Sequence, residues 1–190
     1  GVVTATITNG AVTDTLNAIG YVDVNDVITF TTTDTSADAT DIVALNEKVD
    51  TFGVNTITTV TEDAGSIGVN AENVTDAIAI VGNTDAGTIT GNISATDANY
   101  ILNELGNGTS GIVTAVITAD SAANLKTNLA NATATDALTL TVTGTTATAI
   151  DLNALDGKTN VAVNATNISE LTGTSSEITT ALTSSGITTV

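Results

Sequence analysis

Laid over itself with a shift of 110 positions, the chain aligns Gly1–Lys48 with Gly111–Lys158 without a gap, and 17 of those 48 residues are identical. "GVVTATIT" falls on "GIVTAVIT", and "DVITFTTTDTSADATDIVALNEK" falls on "DALTLTVTGTTATAIDLNALDGK". A chain that repeats itself over this length is built from units that cannot bury their apolar faces alone and must stack on one another. After Lys158 the register breaks. "VAVNATNISEL" from Val161 then resembles "IGVNAENVTDAI" from Ile67 at a shift of 94, so the second copy is expected to lack about 16 residues of the first. No segment rich in Pro, Gly and Ser separates domains, and residues 1–190 read as a single continuous repeat stack, with a long repeat over 1–110 and a partial second copy over 111–190.

A shorter period lies inside the long one. Runs in which β-branched residues alternate with Thr recur as "VVTATIT" (2–8), "VITFTTT" (27–33), "TITTVT" (56–61), "TITGNI" (88–93), "IVTAVIT" (112–118), "LTLTVT" (138–143) and "VAVNA" (161–165). Such alternation predicts strands. Between them lie segments with helical spacing. In "SATDANYILNELG" Ser94 is a natural N-cap with Asp97 three residues on, Ile101 and Leu105 are spaced i, i+4, and Gly106 can end the helix. "SADATDIVALNEKVDTFG" places Ile42, Leu45, Val49 and Phe52 on one stripe with Gly53 after it, and "DSAANLKTNL", "TAIDLNALDG" and "TSSEITTALTSSG" are shorter versions, the last with a Ser/Thr-x-x-Glu box ending at Glu177.

Each unit therefore reads as one strand and one short helix. A strand, a helix and a second strand of the same kind imply parallel pairing through a crossover. The expected class is α/β, an open repeat solenoid of strand and short-helix units with a parallel sheet on one side and helices on the other; outward threonines on successive strands would form ladders. The alternative is an all-β parallel β-helix in which the short apolar segments are turns. A closed eight-stranded barrel fits less well, because its units usually need more than about 30 residues.

Composition narrows the role. The apolar 42% of the chain is almost all Ala, Val, Ile and Leu, with two Phe and two Tyr, which suits thin, regular cores. Three lysines stand against 21 acidic residues, for a net charge of -18. Phosphate neutralisation supplies most nucleic-acid affinity, so a nucleic-acid partner is excluded, and the same field repels anionic lipid. There is no apolar run of about 18 residues and hence no membrane insertion through a helix. The chain opens directly on "GVVTATIT", with neither a signal-peptide pattern nor an initiator methionine, and is expected to be a slice of something longer.

The same composition limits chemistry. With no His and no Cys, nucleophilic triads of the usual kind and zinc sites lack their parts. "TEDAG" (61–65) and "NEKVD" (46–50) offer carboxylates for glycoside hydrolysis, but four aromatics are too few for sugar platforms. The reading is that the chain is not an enzyme. Calcium is the one cofactor the residues admit, since it takes oxygen ligands. "VDVNDV" places Asp23, Asn25 and Asp26 in a loop, and "TDTSADATD" places Asp34, Asp38 and Asp41 ahead of a helix. The aligned copy keeps Asp26 as Asp136 and Asp41 as Asp151, but replaces Asp23, Asn25, Asp34 and Asp38 with Thr, Thr, Gly and Thr, which favours caps over ligands. Sequons occur at Asn73, Asn92, Asn107, Asn131, Asn164 and Asn167, in keeping with chance in a chain crowded with Asn and Thr.

The segment "TAIDLNALDGKTNVAVNATNISELTGTSSEITTALTSSGI", with "GIVTAVIT" upstream, resembles the tandem repeats of very large, acidic, Thr-rich secreted or surface proteins of marine bacteria, notably picocyanobacteria. The resemblance is clearest over 111–187. It implies an extracellular or cell-surface location and a structural or adhesive role, and it carries no functional residues across. The function expected is a repeat segment of an extracellular filament, surface layer or giant adhesin whose partners are copies of itself. The alternative is a binding module whose Thr-lined sheet face takes a surface polysaccharide or another periodic surface.

Overall fold

The computed structural model describes residues 1–23, 25–54, 56–63, 71–82, 86–106 and 111–188. Its elements in chain order are β1 (Thr4–Gly10), α1 (Val12–Ala18), β2 (Val27–Thr32), β3 (Ser36–Asp38), α2 (Ala39–Asn46), β4 (Thr51–Gly53), β5 (Thr59–Asp63), α3 (Ala71–Val81), β6 (Ala86–Ile93), α4 (Ala95–Gly106), β7 (Ile112–Ile117), α5 (Ala122–Asn128), β8 (Ala137–Thr139), β9 (Thr146–Thr148), α6 (Ala149–Asp156), β10 (Val163–Asn164), β11 (Glu170–Thr172), α7 (Ser175–Thr183) and β12 (Ile187–Thr188). The protein is α/β. Seven helices among the described residues set aside the all-β alternative.

Every strand pair among the described residues is parallel. The sheets run β1-β2-β4, β3-β5-β6-β7-β8, β10-β12 and β11-β9, and none closes on itself among the described residues. Partners lie about one unit apart in sequence: Thr4 pairs with Val27, Ser36 with Thr59, Thr59 with Ala86, Ala86 with Ile112, Thr114 with Ala137 and Glu170 with Thr146. The helices follow suit, α1 packing on α2, α2 on α3 and so on in order to α7. Parallel strands have to be joined by a crossover, and here a helix of two or three turns supplies most of them.

The long repeat is visible in the elements. Val12–Ala18 and Ala122–Asn128, Ser36–Asp38 and Thr146–Thr148, and Ala39–Asn46 and Ala149–Asp156 each differ by 110 in number. The expected second register, at a shift of 94, does not hold in three dimensions: Glu170 and Leu171 lie in a strand, whereas Asn73–Ala77 lie in helix α3. Resemblance over Val161–Leu171 is thus one of residues and not of place. β11 instead takes the place of β5, and the shortening falls after it, where two residues lead from β11 to α7 but seven from β5 to α3.

Several units also hold more strand than their sequence announces. Besides a main strand, a second one precedes α2, α3, α6 and α7, and β3 and β9 enter the helix directly, whereas α1, α4 and α5 each follow a single strand. "SAD" and "TAT" are too short to show alternation and are extended because the neighbouring unit pairs with them. The stripe from Ile42 to Phe52 is likewise divided: α2 ends at Asn46, Val49 is buried in the connection, and Phe52 and Gly53 belong to β4. "TITTVT" becomes a strand only from Thr59, and "LTLTVT" over its first residues, with isolated bridges at Thr141 and Val142. Helix α4 extends through Gly106. Asn107 of its sequon, like Ala64 and Gly65 of the "TEDAG" run, lies outside the described residues.

The core runs as a thin row between strands and helices. Ile28, Phe30, Val60, Val113 and Leu138 point inward from the main strands, and Ile42, Leu45, Ile101, Leu125, Leu152 and Leu155 meet them from the helices, all with exposures of 0 to 2%. Phe30 and Phe52 are register partners on β2 and β4, and their rings lie tilted together with centroids 5.5 Å apart. Full burial of such side chains stabilises by about 1.5 to 3 kcal/mol each. The register slips between Thr8 and Gly10 and between Thr88 and Asn92, beside the left-handed residues Asn9 (φ 59°) and Gly91 (φ 81°). A bulge needs such backbone, which Gly and Asn adopt at least cost.

Candidate functional site

With inward positions taken by aliphatic residues, the alternation of the strands leaves threonine outside. Thr6, Thr29 and Thr51 are consecutive partners across β1, β2 and β4, with Thr8 and Thr31 beside them. Thr61, Thr88 and Thr114 are consecutive partners across β5, β6 and β7. None of these threonines is buried. Neighbouring strands lie about 4.8 Å apart, so each ladder is a row of hydroxyl and methyl groups at that step. An open groove of about 390 Å³ lies beside β9 and β11, where Thr148 and Thr172 are partners, and is lined by Ser121, Ala123, Thr146, Thr148, Asp151 and Thr172 among others.

The carboxylates expected for calcium each accept hydrogen bonds from within the chain, and Asn25 donates to one of them. Asp26 Oδ1 accepts a hydrogen bond from Val3 N at 2.7 Å and Oδ2 one from Asp23 N at 3.2 Å, and these two N–H donors hold its carboxyl below the usual carboxylate range. Asp23 Oδ1 accepts from Asn25 N and Nδ2 at 2.8 and 3.0 Å. Asp34 Oδ2 accepts from Val12 N at 2.7 Å. Asp38 caps α2, accepting from Thr40 N and Asp41 N, and Asp41 accepts from the Thr13 hydroxyl on α1. Asp23, Asn25 and Asp26 share one turn, and Asp38 and Asp41 share one helix start. Among the described residues no three carboxylates converge as a metal cage.

Comparison of the two copies shows what the retained acids do. Asp136 repeats Asp26 atom for atom, accepting from Val113 N at 3.0 Å and Thr133 N at 2.9 Å, but at 2% exposure. Asp50 Oδ2 takes Ile28 N at 2.8 Å and Thr159 Oγ1 takes Leu138 N at 3.0 Å. In each case a side chain from the connection ahead of one strand binds a backbone N–H at the start of the strand before it, or just ahead of that strand. Asp151 repeats Asp41 in reaching back to the preceding helix, where its partner is Lys126 Nζ at 2.7 Å; that lysine lowers its pKa more than burial raises it. Thr148 keeps the N-cap of Asp38, accepting from Asp151 N at 3.2 Å.

Two further charged groups, one half-buried and one buried, are not among the candidates drawn from the sequence. Lys158 Nζ donates to the carbonyls of Leu129 and Ala130 at 2.6 and 3.3 Å, just past the end of α5, and burial, with a smaller push from Lys126, lowers its pKa. Glu62 is an inward position of β5 at 8% exposure, and its Oε2 has no hydrogen-bond partner. Burial raises its pKa first, then the Asp38 carboxylate and, more weakly, Asp63, against a lowering hydrogen bond with the Thr40 side chain. Alternation around Val60 is the signal that flags an acid at a core position of the strand. Outward threonine rows are expected from the sequence; the clamps between units are not.

No helix among the described residues is long and apolar enough to cross a membrane. No protein-family model, curated protein or solved structure matches the chain.

Proposed function

We propose that this chain is a structural repeat segment: an open α/β solenoid that serves, outside the cell, in a filament, surface layer or giant adhesin and assembles by stacking of repeats on copies of itself. The observation that carries the reading is the unit-to-unit pattern of contacts. Each helix packs on the next in sequence, each ladder joins strands about one unit apart, and the carboxylates reach one unit back. Side chains engaged in holding neighbours are not available for turnover, and the role is non-catalytic. Such a stack lengthens by repeating one interface, which suits a spacer or fibre. Electron microscopy of the purified chain, with and without a calcium chelator, tests it. The expected result is filaments or rods whose axial rise per strand is about 4.8 Å, unchanged by chelation; isolated globular particles at every concentration would sink the reading.

A second reading rests on the exposed threonine ladders. A row such as Thr6, Thr29 and Thr51 offers hydroxyls at a fixed step, which can match a polysaccharide or another periodic surface. Replacement of Thr29 by Val keeps shape and removes the hydroxyl. Glycan binding that falls with this change would favour the binding role; unchanged binding, or none, would leave the structural one.

A further inference from the structure

Among the described residues two buried side-chain atoms lack a hydrogen-bond partner, and one of them, Glu62 Oε2, belongs to a carboxylate. Glu62 points inward from β5 at 8% exposure. The residue before it, Thr61, is the register partner of Asp38 on β3, which brings the two acids together where β3 passes into α2. Asp38 uses one oxygen for its cap: Thr40 N and Asp41 N both donate to Oδ1, at 3.0 and 3.4 Å, and among the described residues nothing donates to Oδ2. Thr40 joins the group from the first turn of α2. Its hydroxyl accepts from Asn73 Nδ2 on α3 at 3.2 Å and donates to the Glu62 carboxylate. All three lysines lie elsewhere: Lys126 and Lys158 are engaged in the second copy, and Lys48 lines a groove with Asp23, Asp26 and Asp50 past the far end of α2. A buried carboxylate oxygen without a donor, beside a second carboxylate, needs a proton or a cation.

The second copy loses both acids together. Thr148 stands in the place of Asp38, and its register partner is Thr172, as that of Asp38 is Thr61; the residue after Thr172, in the place of Glu62, is Gly173. Thr40, which holds the Glu62 carboxylate, becomes Ile150. The cap survives the change, since Thr148 Oγ1 accepts from Asp151 N. Capping therefore does not account for the carboxylate at 38; what disappears along with Glu62 is its second oxygen. We propose that Asp38 Oδ2 and Glu62 Oε2 bind a hard divalent cation, calcium, at the entrance to α2, with Thr40 positioning the Glu62 carboxylate and water filling the rest of the shell. The two positive charges of the ion balance the two carboxylates. Asp38 is half-buried and Thr40 exposed, so the ion enters from their side while Oε2 stays buried. Two carboxylates are a sparse ligand set, which belongs with weak sites whose Kd is about 0.1 to 1 mM. Of the acids singled out in the sequence only Asp38 takes part.

The test is a calorimetric titration of calcium chloride into the full chain, first stripped with a chelator, in about 0.15 M potassium chloride to screen the diffuse ion atmosphere of an acidic protein. One saturable site is expected. Glu62→Gln should weaken it at least about tenfold, and so should Asp38→Asn, whose amide oxygen keeps the cap. Glu104→Gln removes an exposed charge on α4 and should leave it unchanged. Thermal midpoints give a second readout: in chelator Glu62→Gln melts above the unaltered chain, and calcium closes that gap by raising the unaltered chain more. Absence of saturable binding would leave Glu62 to a proton and overturn the proposal. Binding that survives both Glu62→Gln and Asp38→Asn, or that falls equally in Glu104→Gln, would overturn it as well, since the calcium would then sit elsewhere or in the general field of the acids.

Discussion

At the scale of single residues, few side chains are needed to tie one unit to the next. Asp136 is the clearest case. Its carboxylate accepts from two backbone N–H groups at 2% exposure, so Asp136→Ala would leave Val113 N buried without a partner and cost about 1 to 3 kcal/mol. Asp26→Ala removes the same pair of bonds at a more open site and is expected to cost less; urea midpoints of the two variants give the comparison. Glu62 works the other way. A carboxyl whose folded pKa is raised destabilises the fold when ionised: the penalty is absent below the unfolded value, grows as pH rises toward the folded one and is complete above it. Glu62→Gln is therefore expected to raise the thermal midpoint near pH 7 and to leave it unchanged at about pH 4. An equal shift at both would assign the effect to shape and not charge.

At the scale of elements, helices of seven to twelve residues are too short to stand alone, and they hold because caps and neighbours fix them. Thr174 and Glu177 form a reciprocal capping box at the start of α7, as the Ser/Thr-x-x-Glu pattern foretells. Between α5 and α6 the tie is Lys126 to Asp151. Since the folded pKa of Asp151 is lowered, the stability it contributes is present above the unfolded carboxylate value and is lost as pH falls through the folded one. Lys126→Met should thus lower the urea midpoint near pH 7, with the gap from the unaltered chain closing on acidification. A gap independent of pH would mean that only the packing of the lysine stem matters. The helices α1 and α3 and the three-residue strands are not legible in the sequence. "VTDTLNA" has a single turn's worth of apolar signal, "AIAIV" at the end of α3 has the β-branched residues of a strand, and three residues have no period at all.

At the scale of the whole molecule, contacts that reach only one unit along predict that stability is a sum over units and interfaces. Removal of residues 175–190 is expected to lower the urea m-value only in proportion to the surface lost, and to leave the remaining elements folded. A collapse of the whole transition would contradict local coupling. Periodicity encodes the parallel pairing of repeated units, the 110-residue recurrence, the threonine rows outside and aliphatic rows inside, and the acids that cap. The choice of helices over an all-β stack, and every contact that depends on the neighbouring unit, came from the tertiary structure. The extended form of β3 and β9, the place of β11 opposite β9 despite its likeness to the α3 segment, the reach of Asp136 to Val113 and the burial of Glu62 all arise from units lying side by side. A linear pattern records which way a residue faces along its own strand or helix; which atom waits on the next unit is set by register, and register is a property of the assembled units.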